Sequence, residues 1–158
     1  MGYRIGIGYD VHALDKELNL ILGGVKIPHY KGCIAHSDGD VLIHAICDAI
    51  LGAAGSRDIG CYFPDNDQKY KGIDSRILLK ETLEIISRKG FKIVNIDTVI
   101  SLQKPKIKEY IPQMIKNIAE TLAMDINDIS VKATTTEHLG FEGREEGISV
   151  RAVVLLEK

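Results

Sequence analysis

The sequence predicts an α+β fold: one domain with a mixed sheet of about four strands and helices packed on one face. Three observations predict it. Strand-like and helix-like segments follow one another in a ββαα-βα-ββ order. The chain has 158 residues with 45% hydrophobic content, enough for one core of its own. No internal repeat, low-complexity tract or linker divides it, so residues 1–158 read as a single domain.

The first strand is Arg4 to His12. Ile5, Ile7, Tyr9 and Val11 face one way; Arg4, Gly6, Gly8, Asp10 and His12 face the other. Leu18 to Ile27 reads as a second strand, with a bulge or hairpin bend at Gly23-Gly24. Pro28 to Gly39 is loop-like. Val41 to Ala54 has the length and the Ala/Leu/Ile content of a helix, and it is apolar nearly all round, so it should be buried on most sides. Gly55 to Ile73 has the composition of a long loop, and such loops are usually functional.

Asp74 or Ser75 can cap the next helix, which ends at Gly90. Leu78, Thr82, Ile85 and Ile86 form its inner stripe. Phe91 to Leu102 is a strand. Ile107, Ile111, Met114, Ile115, Ile118 and Leu122 make a helical stripe, whose regular part begins near Pro112. Ile129 to Thr135 and Ile148 to Leu156 close the sheet, with a polar loop from Thr136 to Gly147 between them. The last strand is apolar on both faces, which predicts burial against another subunit.

The composition excludes several classes. A net charge of -2 carries no nucleic-acid footprint, and 27% charged residues do not suggest disorder. Three cysteines without C-x-x-C spacing indicate neither a disulfide framework nor a zinc ribbon, so a reducing cytoplasm is the natural setting. Met1 runs straight into strand-like sequence, so no signal peptide is expected. No apolar run approaches the ~20 residues of a membrane span.

Asp10 and His12 lie two apart on one strand, so both side chains share a face, and Gly6 and Gly8 leave room beside them. A D-x-H pair alone is a weak signal and reads first as an ordinary polar pair at a strand end. His44 is more informative, because it sits inside a helix that otherwise looks buried. Asp40, His44 and Asp48 recur at four-residue steps as one polar stripe, and a buried polar stripe needs partners. Those partners are either one another or an ion. In the second case Asp10, His12 and His44 bind one Zn²⁺ with a coordination position left open, and Asp48 or Asp40 orients His44.

His36-Ser37-Asp38-Gly39-Asp40 precedes this helix. Ser37, Asp38 and Asp40 all suit a helix N-terminus, and a His and a Ser there also suit a phosphate. Asp58-Ile59-Gly60 and Phe63-Pro64-Asp65-Asn66-Asp67 are turn chemistry that can also hold hydroxyls or a hard cation. Thr134-Thr135-Thr136-Glu137 bring hydroxyls and one carboxylate to a strand end, where they can meet phosphate oxygens and a Mg²⁺. Lys104, Lys106 and Lys108 around Pro105 form a basic turn, ordinarily a solvated face.

Taken in order, these motifs resemble the 2-C-methyl-D-erythritol 2,4-cyclodiphosphate synthase family. Gly8-Tyr9-Asp10-Val11-His12, His36 to Asp40, His44-Ala45, Asp48-Ala49, Asp58-Ile59-Gly60, Phe63-Pro64-Asp65, Tyr70-Lys71-Gly72, Pro105-Lys106 and Lys132 to Phe141 carry the match from Arg4 to Leu155. The resemblance implies attack by the 2-phosphate of 4-diphosphocytidyl-2-C-methyl-D-erythritol 2-phosphate on its β-phosphorus, with loss of CMP. It implies Zn²⁺ on Asp10, His12 and His44, and Mg²⁺ or Mn²⁺ by Glu137 and the diphosphate. His36 and Thr135 would stabilise the transition state.

The erythritol part would meet His36, Ser37, Asp58, Gly60 and the loop of Phe63, Pro64, Asp65, Asn66 and Asp67, and Asp10, His12 and Ile59 are further substrate-binding residues. Leu102, Pro105, Lys106, Ile107 and Lys108 would form the cytosine pocket. Ala133, Thr134 and Thr135, with Thr136 beside them, would contact ribose and α-phosphate. The family is a cytoplasmic homotrimer with sites between subunits and an axial cavity for isoprenoid diphosphates, lined here by Phe141 and Arg144. One departure is Arg151, where a Glu is common near the axis. Two readings of other classes stay open: a metal-dependent phosphohydrolase at the same ion, and a trimeric binding module for an isoprenoid diphosphate.

Overall fold

Residues 2–158 are described by the computed structural model. Strand β1 (Tyr3–Lys16) is longer than its alternation suggested, because both of its ends find partners. Its N-terminal part pairs antiparallel with β7 (Gly147–Glu157), and its last turn pairs with the short strand β4 (Lys31–Cys33). The expectation of a loop over Pro28 to Gly39 is therefore corrected by β4. β5 (Lys92–Ser101) runs antiparallel to β7, and β6 (Ile129–Thr134) runs parallel to β5. The mixed sheet has five strands rather than four, in the order β4-β1-β7-β5-β6.

Leu18 to Ile27 is a hairpin of β2 (Leu20–Leu22) and β3 (Val25–Ile27), turning at Gly23-Gly24, and it stands apart as a second small sheet. Both glycines have positive φ, which the turn requires.

Helix α1 (Val41–Ala53) is apolar all round because it is enclosed: it packs on β1 and β7 below and on α3 (Ser75–Arg88) above. The approach to β1 is close. A Cβ on Gly6 would sit 1.9 Å from the Ala49 main-chain oxygen, and one on Gly8 would sit 1.9 Å from that of Ala45. The α3 cap is Asp74, whose side chain accepts from Arg76 N–H. α4 (Ile111–Leu122) starts beside Pro112 as expected, and it covers β6 with Met114, Ile118 and Leu122.

The helices share one face of the sheet. Ile148, Val150, Ala152, Val154 and Leu156 of β7 are buried there, in register with Ile96, Thr98 and Ile100 of β5. The opposite face is bare and apolar: Ile5 is 75% exposed, Ile7 72% and Val153 45%. The period-two reading of β1 was right about which residues share a face, yet the apolar set is the uncovered one.

Two further expectations are corrected. Gly55 to Ile73 contains the short helix α2 (Ile59–Tyr62) and a 3₁₀ turn at Gln68–Tyr70, pinned by a satellite apolar cluster of Phe63, Tyr70 and Leu78. The loop after β6 contains α5 (Gly140–Gly143). No helix among the described residues is long and apolar enough to cross a membrane.

Candidate metal centre and substrate pocket

Asp10 and His12 project from β1 toward α1, and His44 comes down to meet them from the second turn of that helix. Gly6 and Gly8 permit the close approach of α1 to β1 alongside them. The three donor atoms form a small triangle: Asp10 Oδ2 to His12 Nε2 is 3.0 Å, Asp10 Oδ2 to His44 Nδ1 is 3.2 Å, and His12 Nε2 to His44 Nδ1 is 3.4 Å. Hydrogen bonds cannot satisfy all three edges. Protons on both facing nitrogens serve Asp10 but set two N–H groups against each other. A single proton leaves one edge as lone pair against lone pair.

One cation at the centre satisfies every edge. Tetrahedral Zn²⁺ with bonds near ~2.05 Å holds its ligands about 3.3 Å apart, and the triangle matches this. The residues present therefore fit the ion. Asp10, His12 and His44 are all half-buried and are the one group of this kind among the described residues. Burial acts to raise the Asp10 pKa, but the hydrogen bonds and charges of the two histidines bring it down to about 2. Burial disfavours charge on His44, and Asp10 more than offsets this, so its pKa is raised.

The polar stripe on α1 divides into separate tasks. Asp40 is fully buried and caps the helix, taking N–H bonds from Gly23, Gly24 and Ile43. Burial and the nearby Asp38 carboxylate raise its pKa to about 6 against the pull of those N–H groups. Asp48 accepts from Ile59 N–H at 2.7 Å and so anchors the start of α2. Neither side chain bonds to the His44 imidazole, although the Asp40 main-chain oxygen accepts from His44 N–H at 3.1 Å, and this corrects the expectation that one of them orients the ring. Its Nε2 meets Ser75 Oγ at 2.9 Å and Ser37 Oγ at 3.2 Å.

Beside the triangle lies a pocket of ≈ 510 Å³. Of the residues expected at the site, it gathers His12, His44, His36 and Ser37 with Ile59, Gly60, Phe63, Pro64, Asp65 and Asn66. Ile34, Ala35, Tyr70 and Leu78 also line it, and sequence reasoning missed them as site residues; Tyr70 stood in a recognised motif, whereas the other three carry no polar signal. Asp58 is not part of this lining and caps α2, accepting from Cys61 N–H. The Asp67 main-chain oxygen meets His36 Nε2 at 2.9 Å, so the loop is tied across the pocket mouth.

The remaining expected residues stand elsewhere in the chain. Asp10, Val150, Ile100 and Ala133 occupy one row across β1, β7, β5 and β6. Three strand spacings of ~4.8 Å place Ala133 about 14 Å from Asp10. Thr134, Thr135 and Glu137 follow at the exposed end of β6. There Thr135 Oγ1 accepts from Glu137 N–H at 3.3 Å, and Glu137 and His138 both adopt positive φ, a strained turn for residues with side chains. Thr136 Oγ1 donates to Leu139 O.

Leu102 and Ile107 are buried core residues, and Pro105, with a cis peptide before it, lies between exposed Lys104 and Lys106, with Lys108 also exposed. Phe141 packs toward Gly147, while Arg144 pairs with Glu146 at 3.1 Å. Arg151 lies over the Tyr9 ring at 5.1 Å on the bare sheet face.

Comparison with known proteins adds the lineage. The YgbB family model matches residues 3–157. The 2-C-methyl-D-erythritol 2,4-cyclodiphosphate synthase of Bacteroides fragilis is 56% identical over 158 residues, covering 100% of this chain and 99% of that protein. The Plasmodium falciparum IspF structure in complex with CDP superposes with a TM-score of 0.85 at 43% identity, covering 98% of this chain and 96% of that one. The bifunctional IspDF of Campylobacter jejuni reaches a TM-score of 0.95 at 48% identity over 98% of this chain, which spans only 42% of that longer protein. With a matching model over nearly its whole length and full-length relatives above half identity, this chain belongs to the YgbB family.

Proposed function

We propose that the chain converts 4-diphosphocytidyl-2-C-methyl-D-erythritol 2-phosphate into 2-C-methyl-D-erythritol 2,4-cyclodiphosphate and CMP, a step of the non-mevalonate route to isoprenoid precursors. The observation that carries this reading is the Asp10–His12–His44 triangle opening on a pocket lined by His36, Ser37 and the Phe63 loop. The family relationship and the relative bound to CDP support it.

Asp10, His12 and His44 would hold Zn²⁺, which would supply Lewis acidity, and Glu137 would hold Mg²⁺ or Mn²⁺, which would supply charge neutralisation. The protein's own side chains position and enclose. Ile59, Phe63 and Pro64 give an apolar wall for the methylerythritol, while Asp58, Gly60, Asp65, Asn66 and Asp67 offer partners to its hydroxyls. Ser37, which lines the pocket, would meet the erythritol part. His36 and Thr135 would stabilise the transition state.

The 2-phosphate oxygen attacks the β-phosphorus, the bond from that phosphorus to the CMP oxygen breaks, and CMP leaves with the electron pair. A phosphate monoester is largely ionised at pH 7, so no side-chain nucleophile or strong base is required. Orientation of the two phosphates for intramolecular attack contributes ~7 kcal/mol or more.

The working unit is proposed as a homotrimer of 158-residue single-domain chains in the cytoplasm. The bare apolar sheet face supports this, as does the separation of about 14 Å between the metal triangle and the Thr134–Glu137 edge. A neighbouring chain would bring its own Ala133 to Glu137 and its Leu102 to Lys108 turn to this pocket, the latter for cytosine. Phe141 and Arg144 would line an axial cavity for an isoprenoid diphosphate. Incubation with the cytidine substrate and Mg²⁺, followed by phosphorus NMR, tests the reaction. A cyclic diphosphate with equimolar CMP is expected; a linear phosphate product would indicate a phosphohydrolase and overturn it.

A further inference from the structure

The imidazole of His44 has one nitrogen in the donor triangle and the other pointed away from it, into a buried polar chain. Nε2 stands 2.9 Å from Ser75 Oγ. Ser75 Oγ in turn donates to Asp38 Oδ1, and the Ser75 main-chain N–H donates to Asp38 Oδ2 at 2.9 Å. Ser75 is fully buried in the first turn of α3, so its hydroxyl has no water to turn to. Asp38 is itself fixed: its N–H donates to Ile73 O at 3.1 Å, and its Oδ1 accepts from Asp40 N–H at 3.1 Å.

From this geometry we infer that Ser75 and Asp38 are positioning residues for the metal centre, acting through His44. The inference rests on the zinc-dependent reading above and extends it beyond the three ligands. The proton directions are consistent only one way. A neutral imidazole that offers its Nδ1 lone pair to a cation carries its proton on Nε2. That proton goes to Ser75 Oγ, whose own proton goes to the Asp38 carboxylate. The chain therefore holds one tautomer and one ring angle, and the carboxylate at its end makes Nδ1 a better donor.

Ser37 is the competing partner, at 3.2 Å from the same nitrogen. It differs in two respects. Ser37 is half-exposed and lines the pocket, and its oxygen already accepts from Gly39 N–H at 3.3 Å. With Ser75 serving His44, the Ser37 hydroxyl is left free to meet a ligand. Asp38 also ties the loop before α1 to the start of α3, so its removal would disturb the fold as well, and Ser75 is the cleaner probe.

The test is the Zn²⁺ dissociation constant of the full-length protein, measured by competition with a chromophoric chelator, alongside the melting temperature of the metal-free form. Ser75→Ala should weaken Zn²⁺ by about 10- to 100-fold, beyond any loss of metal-free stability from the buried hydroxyl's removal. Ser37→Ala should change it by less than roughly threefold, and Ser75→Thr, which keeps the hydroxyl, should recover most of the affinity. If Ser75→Ala binds Zn²⁺ like the parent, or loses metal-free stability in proportion, the positioning role is wrong while the zinc site stands. If Ser37→Ala shows the larger loss, the orienting partner has been misassigned. A parent protein that binds no Zn²⁺ would overturn the metal centre itself.

Discussion

The metal end and the Thr134–Glu137 edge are built on opposite principles. The triangle of Asp10, His12 and His44 is complete within one chain, half-buried, and backed by a hydrogen-bond chain into the core. The edge has the same density of polar side chains but is mostly exposed, bonds largely to itself, and holds Glu137 and His138 in positive φ. The difference is that the triangle folds within the chain, whereas the edge is an exposed surface that, on the trimeric reading proposed above, meets a neighbouring chain.

The largest effect is expected from His44→Ala. It should abolish bound Zn²⁺ and turnover while leaving the oligomer intact. Metal analysis that still finds one Zn²⁺ per chain would show the ligand assignment to be wrong.

The comparison is tested most directly by mixing. A chain carrying His44→Ala and one carrying Thr135→Ala with Glu137→Ala should each be inactive. If each site takes its two halves from neighbouring subunits, random co-assembly at equal amounts restores about a quarter of parental activity. A mixture as inactive as its parts would mean both halves belong to one chain.

A smaller effect is expected at the contact that sets the metal end. Gly8→Ala places a Cβ against the Ala45 carbonyl and forces α1 away from β1. Overpacking of this kind costs about 1–3 kcal/mol, read as a lower denaturation midpoint, and Zn²⁺ affinity should fall with it. Unchanged Zn²⁺ affinity in a destabilised protein would show that the triangle does not depend on this spacing.

The least effect is expected at Asp74, the cap beside Ser75. Asp74→Ala should cost about 1 kcal/mol in chemical denaturation. The hydrogen bond from Arg76 lowers the Asp74 pKa. The stability this ion pair contributes is thus present above the ordinary aspartate range and is lost as pH falls through the lowered value. The pair is exposed, so this component is small. A pH-independent difference between parent and Asp74→Ala would assign the whole effect to helix capping.

Much of this was legible before any coordinates. Alternation along Arg4 to His12 placed Asp10 and His12 on one face, and the caps and apolar periods located α1, α3 and α4 to within a residue or two, because helical period and capping act over about four residues of chain. His44 stood out because an imidazole in an all-apolar helix must be satisfied by something.

Folding alone could reveal which partner satisfied it. Asp40 and Asp48 shared its stripe, yet Ser75, thirty-one residues away on another helix, holds the ring. The fifth strand β4, the standing of the β2-β3 hairpin apart from the main sheet, and the distance between the metal triangle and the Thr134–Glu137 edge were equally invisible. Each depends on pairing between segments far apart in sequence, and no local pattern encodes the separation of two strands with two others lying between them.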